Sequence, residues 1–409
     1  MSVIWIINQY STTPETGIAG RHHYLARELG KRGHKVYLVS ALWHHLLRVE
    51  NEDDLPEVEA ADGYTMVRIP VPRYPHAHHK KRILNWFLFR LRLAKLPKRI
   101  PERPDAILYS SPSLVGYPGA KRLARKLGAR LVFEVRDIWP LSLQEIGGAS
   151  DRHPFIRYLQ RIEDDAYQSA DAVVSNLPNA VDHMVSRGMD RAKFTWVPNG
   201  FSRRLIEQKV PLDDVTLKAL PNAALKIGYT GTFGAANNLD ILLDAAKQLV
   251  HRTDIAFVLV GQGRERDRLA DRVKNESLEN VTLINAIPKA QVPSMLAAID
   301  ICYIGLTADP LFRFGVSPNK LFDYLISGNP ILYGIDSGEY KPVETFGAGI
   351  QVPPDDAEAV AQAVLAFAEM TEAERYELGA AGRRAALAHH EYGMLAEQLE
   401  TVLLNPGQG

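Results

Sequence analysis

Short apolar runs rich in β-branched residues alternate with helix-period segments from one end of the chain to the other. In the first half the strand-like runs are VIWII (3–7), KVYLVS (35–40), YTMVRI (64–69), DAILYS (105–110), RLVFEV (130–135) and DAVVSN (171–176). In the second half they are KIGYTG (226–231), IAFVLVG (255–261), VTLINA (281–286), DICYIGL (300–306) and PILYGI (330–335). Residues 20–32 put Tyr24, Leu25 and Leu29 on one helical face and close at Gly33. Further helical patterns fall near 239–252, 264–276, 289–298 and 318–327, and the tail 372–404 is expected to be helical throughout. Alternation of this kind, with short connections, predicts an α/β protein of parallel sheets covered on both faces.

Two such sets are present. They part near WVPNG (196–200), where a polar stretch with Pro211 and Pro221 precedes a fresh strand at Lys226. Two doubly wound, Rossmann-like domains of roughly 200 residues each are the economical expectation. In such sheets ligands bind outside the carboxyl ends of the strands, so two facing domains predict a cleft between those edges.

Composition narrows the picture. Hydrophobic residues make up 46% of the 409 and charged residues 23%, an ordinary globular balance. The net charge is zero, which gives no global signature of a nucleic-acid partner. Cys302 is the single cysteine, so no internal disulfide forms, and its apolar setting (ICYIGL) predicts a buried, inert thiol. The start MSVIWIINQY lacks a basic n-region, and no run of about 20 apolar residues occurs, so a cytoplasmic protein is expected.

Four glycine-bearing loops follow strands: 8–23, GTFGAANN (231–238), GQGR (261–264) and FRFGVSPNK (312–320). Glycine lets backbone approach a ligand, and a helix start offers free N–H groups to an anion. Neither a G-x-G-x-x-G after the first strand of either domain nor a P-loop occurs. In SPNKLFDYLISGNP (317–330), Ser317 is placed to cap a helix that Gly328 and Pro330 end. Lys320 in its first turn opposes the helix dipole. It either pairs on the surface with Asp323, or brackets a diphosphate together with Arg313. Asp323 would then accept hydrogen bonds from ribose. The acidic clusters at 52–54 and 163–165 read as solvated faces.

GIAGRHHYLARELGKRGHKVYLVS (17–40), EVRDIWP (134–140), VPNGF (197–201), GYTGTFGAANNLDILLDAA (228–246), VGQG (260–263) and SPNKLFDYLISGNPIL (317–332) follow one another in a specific order. By them the whole chain resembles the family 4 glycosyltransferases, retaining enzymes of the GT-B fold. The resemblance is strongest to the bacterial branch containing UDP-N-acetyl-fucosamine transferases of surface-polysaccharide assembly. It implies an acceptor-binding domain at 1–200, a nucleotide-sugar domain at 201–385 and a C-terminal helix at 386–409 that packs back on the first domain. It also implies transfer of a sugar, an N-acetylated amino sugar on this branch, from a UDP-sugar to a polyprenyl-diphosphate-linked glycan. The setting is O-antigen, capsule or exopolysaccharide assembly at the inner membrane face.

On this resemblance Gly231, Thr232, Gly261, Gly263, Asn285, Ser317, Asn319 and Asp323 contact the donor nucleotide. Arg136, Asp137, Arg313 and Lys320 serve the transfer, with no metal and no cofactor. Gly20, Arg21, His22 and Glu134 approach the acceptor. Asp137 and Glu134 either hold hydroxyl groups or orient Arg136 by an ion pair. Three departures from the family pattern stand out. Gly315 and Asp323 occupy the positions of two glutamates eight apart; Thr232 and Asn237 replace an arginine and a lysine; Arg136 replaces a histidine. With those contacts gone, the electrostatic burden falls on Arg313 and Lys320, with Arg264 in support. The same departures keep two other functions open: a sugar-nucleotide-binding protein without transfer activity, and a sugar-nucleotide epimerase.

Residues 76–101 (HAHHKKRILNWFLFRLRLAKLPKRIP) are the most unusual stretch. From Arg73 to Arg103 there are ten Lys or Arg residues and one acidic residue, Glu102. On a helix Lys81, Arg82, Asn85, Arg92, Lys95 and Arg99 fall in one polar arc. The segment is either a monotopic anchor on an anionic membrane or an amphipathic helix against the first sheet.

Overall fold

The structure is a computed structural model and describes residues 1–17, 20–49, 55–74 and 79–405. The acidic cluster 52–54 and the first residues of the 76–101 segment lie outside the described residues. The chain divides into two units, Met1–Pro198 with Tyr392–Gly409, and Asn199–Glu391. The crossings thus fall at 198/199 and 391/392, against the 200 and 385 expected from the sequence.

Unit 1 holds an eight-stranded sheet. Its strands are β1 (Val3–Ile7), β2 (Lys35–Ala41), β3 (Val58–Ala61), β4 (Tyr64–Ile69), β5 (Ala106–Ser110), β6 (Arg130–Val135), β7 (Ala172–Ser175) and β8 (Phe194–Trp196). Their order is β3-β4-β2-β1-β5-β6-β7-β8, parallel except for β3 against β4. Unit 2 holds a parallel sheet of β9 (Leu225–Thr232), β10 (Ile255–Gln262), β11 (Val281–Ile284), β12 (Ile301–Gly305), β13 (Ile331–Gly334) and β14 (Gly349–Gln351). Its order is β11-β10-β9-β12-β13-β14. The central strands are buried on both faces, so each is a continuous apolar run in the sequence. Three strands had no such signal: β3 (VEAA), β8 (FTW) and β14 (GIQ). All three lie at sheet edges, where exposure removes the apolar requirement and a neighbour's free ladder recruits them.

The tail is two helices rather than one. A helix runs from Glu372 to His389, and a second from Tyr392 to Leu404. The Phe201 N–H donates to the His390 carbonyl at 2.9 Å, and Phe201 bridges to Glu391. That pairing takes the backbone out of the helical path, and the chain passes back to unit 1. There Leu395, Ala396, Leu399 and Leu403 share a core with Leu25, Ala26 and Leu29 of helix α1 (Arg21–Lys31). Tyr24 and Tyr392 stack at 4.9 Å between ring centroids.

The acidic triplet 163–165 is not a solvated face. Glu163 is buried and accepts from Tyr167 Oη at 2.9 Å, Asp164 pairs with Arg187 at 2.8 Å, and Asp165 with Lys121 at 2.5 Å. Cys302 is fully buried on β12, and burial pushes its thiol up to about 12, as an inert sulfur requires. Among the described residues no helix is long and apolar enough to cross a membrane.

Truncating Leu399, fully buried between the last helix and α1, removes packing on both. Leu399→Ala is expected to cost about 2–5 kcal/mol in urea denaturation followed by circular dichroism. A loss within experimental error would show that the last helix adds no core.

Candidate functional site

Parallel register brings chemistry to one edge of each sheet. In unit 1 the carboxyl ends of β1, β5 and β6 meet the first turn of α1. Glu134, next to last in β6, has no exposed surface. Arg21 Nε donates to its Oε1 at 2.8 Å, and His22 Nε2 lies 2.7 Å from its Oε2. Arg21 spends its remaining reach on the carbonyls of Pro198 and, at 2.8 Å, Val197. The His22 ring also meets Ser110 Oγ at 2.9 Å and Ser11 Oγ at 3.4 Å. Burial works to raise the Glu134 carboxyl, but Arg21 and His22 outweigh it and hold it well below the usual carboxylate range. Burial also pushes the His22 imidazole below its ordinary value, against the pull of Glu134.

The four residues expected on the acceptor side lie in or beside this network. Arg21 and His22 are buried and committed to Glu134, not turned to an acceptor. Glu134 orients them rather than Arg136 or a hydroxyl group. Gly20 supplies the N-cap position of α1 with no side-chain bond, and the space about its Cα is open. Arg136, just past β6, donates its backbone N–H to Ser111 Oγ at 2.8 Å, while its Nε is buried without a partner. No ion pair joins Arg136 to Asp137, whose side chain is exposed.

In unit 2 the ends of β9, β10 and β11 and the loop after β12 share the carboxyl edge. Gly231 and Thr232 end β9, with Thr232 exposed. Gly261 lies opposite Gly231; a Cβ there would sit 1.8 Å from the Gly231 carbonyl oxygen, so close strand approach alone demands glycine. Gly263 packs on the Phe233 backbone, and Arg264 is exposed beside it. Asn285 is exposed directly after β11.

The Asn319–Ser327 helix starts without a side-chain cap and without an acidic residue in its first turn. Ser317 does not cap it. Its Oγ accepts the Asn199 N–H at 3.1 Å and its carbonyl accepts Asn199 Nδ2 at 2.6 Å, so the asparagine of VPNGF fixes this loop. Asn319 is the exposed first residue of the helix.

Lys320 pairs neither with Asp323 nor with any carboxylate among the described residues. Its Nζ donates to Tyr229 Oη at 2.9 Å and Asn237 Oδ1 at 2.7 Å, and lies 4.6 Å from the centroid of the Tyr229 ring. Gly231 leaves room for it: a Cβ there would be 3.0 Å from Lys320 Cδ. Burial among neutral groups pushes its ammonium down to about 8. Two of three ammonium hydrogens are thus placed and one is left over. Lys320 thus reaches Asn237 at the end of the Thr232–Asn237 loop. Tyr229 is the contributor that the sequence pattern did not single out. Its position inside a buried strand gave it the signature of core.

Arg313 is exposed, with its guanidinium 4.4 Å from the Phe314 ring centroid and bonded to the Pro310 carbonyl. Asp323 takes Lys289 as its partner, and both line a cavity of about 130 Å³ floored by Phe201, Leu296 and Ile326. Gly315 has φ +86°, a region that favours glycine. A glutamate at this place would be strained, which accounts for the missing carboxylate.

Residues 16–200 match the model of a glycosyl transferase 4-like domain, and residues 224–370 that of glycosyl transferases group 1. The chain is 25% identical over 297 residues, 71% of each chain, to probable glycosyltransferase WbjE of Pseudomonas aeruginosa. It is 24% identical over 366 residues to putative colanic acid biosynthesis glycosyl transferase WcaI of Escherichia coli (strain K12), covering 85% of this chain and 88% of that one. Its fold superposes on Anabaena Alr3699/HepE, solved in complex with UDP, with a TM-score of 0.71 at 16% identity over 98% of this chain and 99% of that one.

Removing Glu134 leaves Arg21 buried without its anion. Glu134→Leu is expected to cost about 3–5 kcal/mol at neutral pH. Because the folded Glu134 carboxyl is depressed, its contribution is complete above the ordinary carboxylate pKa and is lost as pH falls through the folded value. Denaturation of wild type and variant at neutral and acidic pH should show the gap narrowing towards acid; a gap independent of pH would refute the assignment.

Proposed function

We propose that the chain, which matches a glycosyl transferase 4-like domain followed by a group 1 domain, is a retaining, metal-independent glycosyltransferase of GT-B fold using a UDP-sugar. Its acceptor on this reading is a polyprenyl-diphosphate-linked glycan in surface-polysaccharide assembly, met at the inner face of the membrane. The sugar moved is an N-acetylated amino sugar, following the branch that the sequence resembles.

One observation carries the donor assignment. Lys320 is a partly buried cation with only neutral partners, beside a helix start that has no cap. An anion is what both lack. A nucleoside diphosphate at this place would meet the Lys320 ammonium and the N–H groups at the helix start. Asn285 stands by the base and Asp323 by the ribose. The relatives support the class: HepE was solved with UDP, and WcaI is described in colanic acid biosynthesis.

In retaining transfer the bond from C1 to the diphosphate loosens and negative charge grows on the leaving phosphate. A preorganised cation stabilises that charge with little reorganisation. Lys320 fills this role, and a divalent ion is unnecessary to it. Arg313 stands on the loop before the helix as a second, exposed cation. The leaving phosphate itself takes the acceptor proton, so no protein nucleophile is required. Arg136, a cation without a carboxylate partner in unit 1, suits the acceptor's phosphates.

Release of UDP from a panel of UDP-sugars, with and without a polyprenyl-diphosphate saccharide and in the presence of EDTA, tests the activity. Acceptor-dependent release is expected. Binding of UDP-sugars with no product from any acceptor would sink the transfer reading. Calorimetry tests the site: Lys320→Met should weaken UDP binding by ~10–100-fold, the range of a charged hydrogen bond. Wild-type affinity should also fall as pH rises through about 8, where the free enzyme's ammonium loses its proton. An affinity flat across that pH range, or unchanged in the variant, would move the phosphate elsewhere.

A further inference from the structure

Helix α2 (Lys81–Leu93) lies inside the basic segment and buries Asn85, Trp86, Phe89 and Leu93. The arginines and the asparagine of the polar arc turn inward. Asn85 is fully buried and donates to the Pro72 carbonyl at 2.6 Å, and Arg92 donates to the Pro70 carbonyl. Arg82 donates to Tyr10 Oη at 3.2 Å and covers the Tyr10 and Trp86 rings at 5.3 and 5.4 Å. Arg90 donates to Tyr158 Oη at 2.7 Å, and Arg99 pairs with Glu57 at 2.6 Å. Every arginine of residues 79–100 is thus tied to the protein.

The opposite face is apolar. Leu84 is 52% exposed and Leu91 64%, with Ile83 at 40% and with Phe87 and Leu88 half-buried between them. Positions 84, 87, 88 and 91 are the i, i+3, i+4, i+7 stripe of one helical face. The lysines join that side. The ammonium groups of Lys80, Lys81, Lys95 and Lys98 have no hydrogen bond or ion pair among the described residues, and all four residues are described. One turn beyond Leu91, a cavity of about 240 Å³ is lined by Ile69, Pro70, Arg92, Lys95 and Arg99. From 79 to 100 the chain has eight Lys or Arg residues and no Asp or Glu.

We propose that the outward face of α2, through Leu84, Phe87, Leu88 and Leu91 with Lys80, Lys81, Lys95 and Lys98, docks in the plane of an anionic phospholipid bilayer. Such a surface offers hydrocarbon and negative charge together. The stripe is ~10 Å long, from seven residues at 1.5 Å rise, so it lies in the interface and cannot span. A second copy is the poorer occupant. A two-fold contact across this face sets the lysines of one copy against those of the other. The arginine–lysine division has a physical reason: planar guanidinium groups satisfy carbonyls and rings inside, while flexible ammonium groups keep their water until they meet lipid phosphate. The inward residues Arg82 and Trp86 both bond Tyr10 Oη, so the lipid-facing helix also builds the wall at the end of β1. This deepens the acceptor reading above, and rests on it for the identity of the lipid-linked substrate.

Co-sedimentation of the full chain with vesicles of phosphatidylcholine, alone or mixed with phosphatidylglycerol, tests the surface. Wild type should pellet with the mixed vesicles and not with phosphatidylcholine alone, and added salt should weaken binding. The exposed-site variant Leu84→Gln/Leu91→Gln should partition at least ~10-fold more weakly, and Lys80→Gln/Lys81→Gln/Lys95→Gln should fall ~10–100-fold. Circular dichroism and UDP affinity unchanged in both variants would show them folded. No pelleting of wild type, or variants that pellet like wild type, would overturn the proposal. So would a wild-type dimer that the leucine variant makes monomeric while vesicle binding is absent. Vesicle binding without transfer from any UDP-sugar would sink the activity and leave the surface standing. Transfer to a membrane-embedded acceptor that the leucine variant performs equally well would do the reverse.

Discussion

A cation taken out of water must find an anion or a ring of dipoles, and that requirement organises both units of this protein. Arg21 finds an anion. Its pairing with Glu134 ties the first turn of α1 to the end of β6, and its other bonds reach the carbonyls of Val197 and Pro198, where unit 1 ends. Take that pair away and three segments lose their common anchor. Lys320 finds only dipoles, from Tyr229 and Asn237, and stays partly unsatisfied. The first cation is held by a charge; the second is held by dipoles alone.

The same distinction separates groups of one residue type elsewhere. Glu163 and Glu134 are both buried carboxylates in stretches that looked like surface or site. One accepts a tyrosine hydroxyl within its own helix, and the other holds a buried guanidinium. On α2 the arginines reach inward to rings and carbonyls while the lysines stay free. Charge alone could not sort these groups, because each outcome depends on what lies within about 3 Å.

Much of the fold was legible. Strands buried on both faces leave continuous apolar runs, and all eleven runs named from the sequence became strands. The strands without a signal are three of the four edge strands, whose partners, not whose composition, put them in the sheet. The tail looked like one helix because its composition favours helix throughout; the pairing of Phe201 with residues 390–391 breaks it. Gly315 was visible as a departure, and its positive φ supplies the reason.

For the sites, the sequence by itself determined which loops end at the carboxyl edges, that Lys320 opposes its helix dipole, and that 76–101 is cationic and amphipathic. Local pattern carries these facts because they depend on residues a few positions apart. Tertiary structure alone decided the partners: Glu134 for Arg21 and His22, Tyr229 and Asn237 for Lys320, Lys289 for Asp323. It alone also decided which face of α2 turns outward. These are contacts between residues mostly tens of positions apart, set by sheet order, and an ammonium or a guanidinium carries no local mark of the partner that the fold will bring to it.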